Sequence, residues 1–165
     1  MKTRLIVAIF IVGTFAAFAL QPPHGGLDNE RRIRIREEAS AQGLVHISTN
    51  KRLDGVMEAY NVTRDQISRI PEWNGMDDPP LEISKALTIA RATVLSTHPD
   101  FKRFRLREFE SQRIIAENFE NRWYYIVSLE IPVPKDLEKG WKPELWRVRI
   151  LMDGTVIVPE LYPKD

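Results

Sequence analysis

Histidine, cysteine and carboxylate side chains carry most metal and acid–base chemistry in proteins, and this chain offers few of them in a useful pattern. It has three histidines, His24, His46 and His98, and no cysteine. No two histidines have the i, i+4 spacing that places both on one face of a helix to hold a metal. The sequence therefore predicts neither a metal site nor a cofactor. His98 is expected to follow the end of a helix, where a cation is favoured.

Glu108 and Glu110 are the best-placed pair of carboxylates for acid–base catalysis. Such a pair works when burial separates the two pKa values. Here arginines flank both residues, so a solvated strand face with cross-strand ion pairs is the favoured interpretation; these are Arg103, Arg105, Arg107 and Arg113. The chain also lacks a glycine-rich phosphate loop, a G-x-S-x-G motif and a cysteine nucleophile. We predict that it is not an enzyme.

Tryptophans supply the better candidates for binding. Trp73 and Trp141 lie in polar loops, where an exposed indole is a typical interface residue. Trp123 and Trp146 lie on apolar strand faces and are predicted to be core. We take Trp73 and Trp141 as candidate partner contacts, with folding back over the sheet edge as the alternative.

Arginines supply two further candidates and one open question. Arg147 and Arg149 occupy the face of a strand opposite its apolar side chains, so both are candidate partner contacts on an exposed sheet face. A second, N-terminal cluster of four arginines could contact anionic lipid or cell-wall polymer, or could be an exposed segment balanced by nearby glutamates. The members of this cluster are Arg31, Arg32, Arg34 and Arg36. The balanced segment is favoured.

The N-terminus predicts export. Lys2 and Arg4 precede an apolar run from Leu5 to Ala19, which ends in the small-x-small pattern that signal peptidase accepts. The run is about fifteen residues, shorter than the ~20 of a spanning helix, and Pro22 and Pro23 stop it. We expect residues 1–19 to be a cleaved signal peptide, with an uncleaved anchor as the alternative. No later segment is apolar enough to cross a membrane.

Cysteine usage and charge narrow the compartment and the partners. Without cysteine the protein has neither disulfides nor a lipid-modified N-terminal cysteine, which suits the periplasm or exterior of a bacterium. The net charge is +1, and loss of the signal lowers it to about −1. A net charge so close to zero argues against nucleic acid as a partner. The expected partner is therefore a protein of the cell envelope.

The N-terminal half is predicted to be irregular. Residues 20–43 are a flexible or charged lead-in, in which the segment 30–42 fits either a strand or a helix. Residues 44–78 extend the domain, with a hairpin around Asp54-Gly55. A short helix follows, because Thr63 and Gln66 form a capping-box pattern.

The C-terminal half, residues 79–161, predicts a helix followed by strands. Apolar residues at helical spacing make one stripe over 81–97; they are Ile83, Ala86, Leu87, Ala90 and Val94. Strands are expected at 102–114 (with a bulge near Glu108), 122–131, 145–152 and 155–158. Asp153-Gly154 predicts a two-residue hairpin turn, and 133–144 is a charged loop. We therefore predict an α+β fold, with one main helix packed on a curved antiparallel sheet of about four strands.

Residues 79–161 resemble the PepSY-type domains of exported bacterial proteins. Three segments carry the resemblance: PPLEISKALTIARATV, RWYYIVSLEI and LWRVRILMDGTVIVPEL. It implies a cystatin-like packing of helix on sheet. It also implies a non-catalytic module that binds or inhibits a protein partner, such as a secreted peptidase. The rival hypothesis is a ligand-binding protein or enzyme with a pocket between helix and sheet, which would be lined by polar groups.

Overall fold

The computed structural model describes residues 26–99, 103–130 and 145–163. The proposed signal peptide and the 133–144 loop with Trp141 lie outside these ranges. The elements in chain order are α1 (Gly26–Ala41), β1 (Leu44–Lys51), β2 (Met57–Thr63), α2 (Arg64–Arg69), α3 (Ile83–Thr97), β3 (Arg105–Arg113), β4 (Trp123–Glu130), β5 (Leu145–Leu151), β6 (Val156–Ile157) and β7 (Glu160–Tyr162). The α+β class is confirmed, with two antiparallel sheets.

The first helix resolves the ambiguity of the lead-in. Residues 26–41 are helical, because Ile35 and Ala39, four positions apart, are both 1% exposed whereas Ile33 is 49% exposed. Ile35 packs against Met57 and Ala59 of β2. The helical spacing of the buried pair therefore prevails over the alternation of Ile33 and Ile35 that favoured a strand.

The predicted N-terminal hairpin and short helix are confirmed. Strand β1 pairs antiparallel with β2. Thr63 caps α2 through a capping box, in which its hydroxyl accepts from the Gln66 N–H at 3.0 Å. In return the Gln66 side-chain oxygen accepts from the Thr63 N–H at 2.8 Å. Ile70 ends this helix, and Pro71 follows it.

Both Asp-Gly turns are three-residue loops, so the two-residue turn predicted at Asp153-Gly154 is wrong. The Leu151 N–H donates to the Thr155 carbonyl at 2.8 Å, which leaves residues 152–154 between them. Gly154 has φ of 91°, as the glycine of a three-residue hairpin requires. The turn at residues 53–55 has the same pattern, with Arg52 bonded to Val56.

The predicted four-stranded sheet is confirmed, and we call it the large sheet. Its order is β3-β4-β5-β6, and the expected bulge lies between Leu106 and Glu108. Helix α3 packs on β4 and β5 through Ala86, Ala90 and Val94, which are buried. Ile83, placed in the apolar stripe by its spacing, is instead 50% exposed. His98 follows the helix end, as predicted.

A second sheet, the small sheet, was not predicted. Its order is β1-β2-β7, and β7 joins it by pairing Tyr162 with Met57. Tyr60 and Val62 of β2 belong to the same buried cluster as the strands of the large sheet. Since Met57 and Ala59 face α1, the layers run α1, small sheet, large sheet, α3.

This layering buries both faces of β4. Tyr124, Ile126 and Ser128 are buried against the small sheet, while Tyr125 and Val127 are buried on the α3 side. The sheet face that the sequence analysis expected to be exposed is therefore covered at β4. No helix within the described ranges has the length and apolar character needed to cross a membrane.

Candidate functional site

A polar loop, residues 71–80, forms the wall of the main candidate site. Asn74 organises it, because its side-chain oxygen accepts from the N–H groups of Met76 at 2.8 Å and Asp77 at 3.1 Å. Its side-chain amide donates to the Asp77 carboxylate at 2.6 Å. Gly75 has φ of 81°, and an added Cβ would lie 3.2 Å from the Trp123 ring. The positive φ therefore favours glycine there, and a Cβ would also require the Trp123 ring to shift slightly.

Trp73 is held rigidly in this loop. Its indole Nε1 donates to the Asp77 carbonyl at 2.8 Å. Its ring meets Trp123 edge to face, with the centroids 5.1 Å apart. Its backbone accepts from the Trp123 indole at 2.7 Å and donates to the Asn121 carbonyl at 3.0 Å. Trp73 is thus half-buried over the first residue of β4, and these contacts orient its ring.

A shallow cleft of about 300 Å³, largely open to solvent, lies beside Trp73. It is lined by residues of the loop and by one residue from the β3–β4 connection: Glu72, Trp73, Asn74, Asp77, Asp78, Pro80 and Asn121. We call this the Trp73 cleft. Glu72 pairs with Arg122 at 3.1 Å, and Asp77 accepts from Asn74. Among the described residues, nothing pairs with the exposed Asp78 carboxylate.

The chemistry of the Trp73 cleft suits a positively charged organic group. Carboxylates attract an ammonium or guanidinium group, and an indole beside them adds a cation–π contact of about 0.5–1 kcal/mol at an exposed site. Across residues 26–99, 103–130 and 145–163, no three histidine or carboxylate side chains are grouped as metal ligands.

The structure separates the two arginines predicted as partner contacts. Arg147 is exposed on β5, as expected. Arg149 is only 2% exposed, so its predicted placement on an exposed face is wrong. Arg149 is buried because the small sheet covers the face of β5 that was predicted to be exposed to solvent.

Arg149 is a buried cation between the two sheets. Its guanidinium carbon lies 3.5 Å from the centre of the Tyr60 ring, and Nη2 donates to Asn50 at 3.0 Å. Its Nε and Nη1 have no hydrogen-bond partner within the described chain. Burial lowers the pKa of Arg149 and raises the pKa of Tyr60, whose hydroxyl keeps its proton and donates to Glu58 at 3.0 Å.

A histidine network, missed by the sequence analysis, ties the small sheet together. His46 contacts the Thr49 hydroxyl through Nε2 at 3.0 Å and the Asn61 side-chain oxygen through Nδ1 at 2.9 Å. The Asn61 amide donates to Glu160 at 3.0 Å. These residues come from three strands, so no local pattern could indicate them. None of them lines the Trp73 cleft.

The remaining candidates occupy ordinary positions. Trp123 and Trp146 are half-buried and pack against the main core, in agreement with the prediction. Glu108 is exposed and Glu110 is half-buried. Glu110 accepts from Gln112 at 3.0 Å rather than from the arginines that were expected to surround it.

Fold and cleft together define an α+β protein with two packed antiparallel sheets and a carboxylate-lined cleft. No family model, curated protein or solved structure matches the chain. The resemblance of residues 79–161 to PepSY-type domains therefore stays a prediction from the sequence.

Proposed function

We propose that this chain is an exported, non-catalytic binding module for a protein partner, and that the Trp73 cleft receives a positively charged side chain of that partner. The observation that carries the proposal is the cleft itself, about 300 Å³ in volume and walled by a tryptophan and carboxylates. Export is proposed from residues 1–19, and the periplasm or the cell exterior is the proposed location.

Rigidity of the wall supports a binding role. Four hydrogen bonds fix the Trp73 ring and the loop before any ligand binds. The indoles of Trp73 and Trp123 donate two of them, and the Trp73 backbone and the Asn74 side chain donate the other two. A site that is already ordered loses little conformational entropy on binding. A half-buried tryptophan that lines a cleft is also a typical anchor for a partner.

Packing under α3 favours a binding module over the rival hypothesis of an enzyme. Ala86 and Ala90 of α3 and Val127, Leu129 and Ile150 of the large sheet are all 0% exposed. The side chains between helix and sheet are therefore apolar and closely covered, whereas a catalytic pocket there would present polar groups.

The PepSY resemblance supplies a more specific form of the proposal. The contact of helix α3 with β4 and β5 supports this form, because the resemblance implies a helix packed on a sheet. In this form the partner is a secreted peptidase, and binding inhibits it.

Charge reversal at the cleft tests the proposal. Asp78→Lys places a cation at an exposed carboxylate of the cleft. We expect it to weaken capture of the partner from envelope extract at least ~10-fold, since like charges across an interface cost more than about 1.4 kcal/mol. Glu37→Lys, the same change on the exposed side of α1, is the matched control and should leave capture unchanged.

The readout is the amount of each protein retained on the immobilised variants, measured by quantitative mass spectrometry. Equal retention by the parent and Asp78→Lys would contradict the proposal. If the retained protein is a peptidase, its activity should fall when the parent protein is added. Turnover of a small substrate by the parent protein itself would favour the enzyme.

A further inference from the structure

Strand β3 forms an outer edge of the large sheet. The Ile114 N–H donates to the Arg122 carbonyl at 2.7 Å, which fixes the residues of β3 that bond to β4. In an antiparallel ladder these residues alternate, so Glu108, Glu110 and Gln112 bond to β4. The N–H and C=O groups of the residues between them point away from the sheet; these are Phe109, Ser111 and Arg113.

The edge formed by β3 is longer and less protected than the other edges of the two sheets. Residues 108–113 keep one register without a bulge, and within the described ranges their outward groups have no partner. On the small sheet, Arg32 caps the outward Thr49 carbonyl of β1 at 3.0 Å. The strands β6 and β7 have only two and three residues. A long, uncapped edge is a template for another strand.

We propose that β3 pairs antiparallel with β3 of a second copy of this chain, about a two-fold axis at Ser111. In this register Ser111 faces its own copy and Phe109 faces Arg113 across the interface. Glu110 faces Gln112, a carboxamide that already donates to Glu110 within one chain. No like charges stand opposite each other, and directly opposed Cβ atoms are about 5 Å apart.

Charge excludes the two neighbouring registers on one side. An axis at Glu110 would set two Glu110 carboxylates directly opposite each other. An axis at Phe109 would oppose Glu108 to Glu110 and Arg105 to Arg113. An axis at Gln112, on the other side, would pair only residues 111–113 of the two strands, whereas the axis at Ser111 pairs residues 109–113. Of the two registers that set no like charges directly opposite each other, the axis at Ser111 gives the longer overlap.

The pairing would join the two large sheets into one continuous sheet. Phe109, half-buried with its ring centroid 4.7 Å from that of Tyr125, would gain the aliphatic stem and guanidinium of Arg113 from the second copy. The Trp73 cleft lies on a different loop, so this dimer does not depend on the proposed partner binding.

Paired charge variants at Ser111 test the proposal. The full chain is expressed, purified after any processing by the producing cell, and studied by sedimentation velocity. We expect the parent to sediment at twice the chain mass in the range of ~10–100 µM. Ser111→Lys alone and Ser111→Asp alone should weaken the dimer at least ~10-fold, because each places like charges at the axis. An equimolar mixture of the two variants should recover the dimer, since lysine then faces aspartate.

Ser68→Lys, the same change on the exposed side of α2, is the control and should dimerise like the parent. Three results would each overturn the proposal: a parent that stays monomeric over this concentration range, a Ser111→Lys dimer as tight as the parent's, or a mixture that stays monomeric. Circular dichroism of each variant checks that the fold is retained.

Discussion

Replacing Arg149 by methionine should leave the free energy of unfolding unchanged or raise it by about 1–4 kcal/mol. Arg149 is 2% exposed, and within the described ranges its side chain makes one hydrogen bond, to Asn50, beside its contact with the Tyr60 ring. Burying a cation that lacks some of its hydrogen bonds costs free energy. An apolar side chain of similar length has no such cost. Denaturant unfolding followed by tryptophan fluorescence measures the change.

Two matched variants make this expectation specific. Arg149→Ala should lower the free energy of unfolding by about 2–4 kcal/mol, because it leaves a cavity between the sheets. Arg147→Met, an exposed neighbour on the same strand, should change it by less than about 0.5 kcal/mol. If Arg149→Met destabilises the protein as much as Arg149→Ala does, the guanidinium itself holds the two sheets together.

Leu129→Ala should lower the free energy of unfolding by about 2–5 kcal/mol, whereas Ile83→Ala should lower it by less than about 1 kcal/mol. Leu129 is 0% exposed under α3, and Ile83 is 50% exposed at the start of the same helix. The two substitutions remove similar volumes, so the difference measures burial. Thermal unfolding monitored by circular dichroism provides an independent check.

Equal losses from these two variants would contradict the observed packing of α3. In that case Ile83 would lie against the sheet, as the apolar stripe alone predicts. A small loss from Leu129→Ala would mean that the space beneath the helix adjusts easily.

The sequence predicted correctly those structural elements whose signals lie within a few neighbouring residues. The capping box at Thr63 and Gln66 depends on residues three apart, and the stripe of α3 repeats at helical spacing. The bulge before Glu108 follows from a break in the alternation of apolar residues. Each signal lies within one element, so a single chain carries enough information to place it.

The small sheet depends on contacts that no local pattern encodes. Asn61 and Glu160, which share a hydrogen bond, are 99 positions apart. One signal was available, since Tyr124 and Ile126 interrupt the alternation of β4 with apolar residues. A continuous apolar run indicates a strand covered on both faces. That interpretation would also have placed Arg149 in the interior.

The candidate site was predictable only in part. Trp73 was chosen from its polar loop, and the structure places it beside the cleft. Its partner Trp123 is 50 positions away, and Asn121 reaches the cleft from the same distant segment. These residues meet because the loop packs against the start of β4, and the loop sequence alone does not predict that contact.

The Trp73 indole reports most directly on the proposed binding of a cationic group. Titration with a blocked tetralysine peptide should shift the NMR resonances of the Trp73 Nε1–H and of Asn74, Asp77 and Asp78 in a saturable way, because these residues line the cleft. The shifts should vanish in Asp78→Lys and be absent with blocked tetraglutamate. Unmoved resonances at the cleft, or equal shifts with both peptides, would contradict the account.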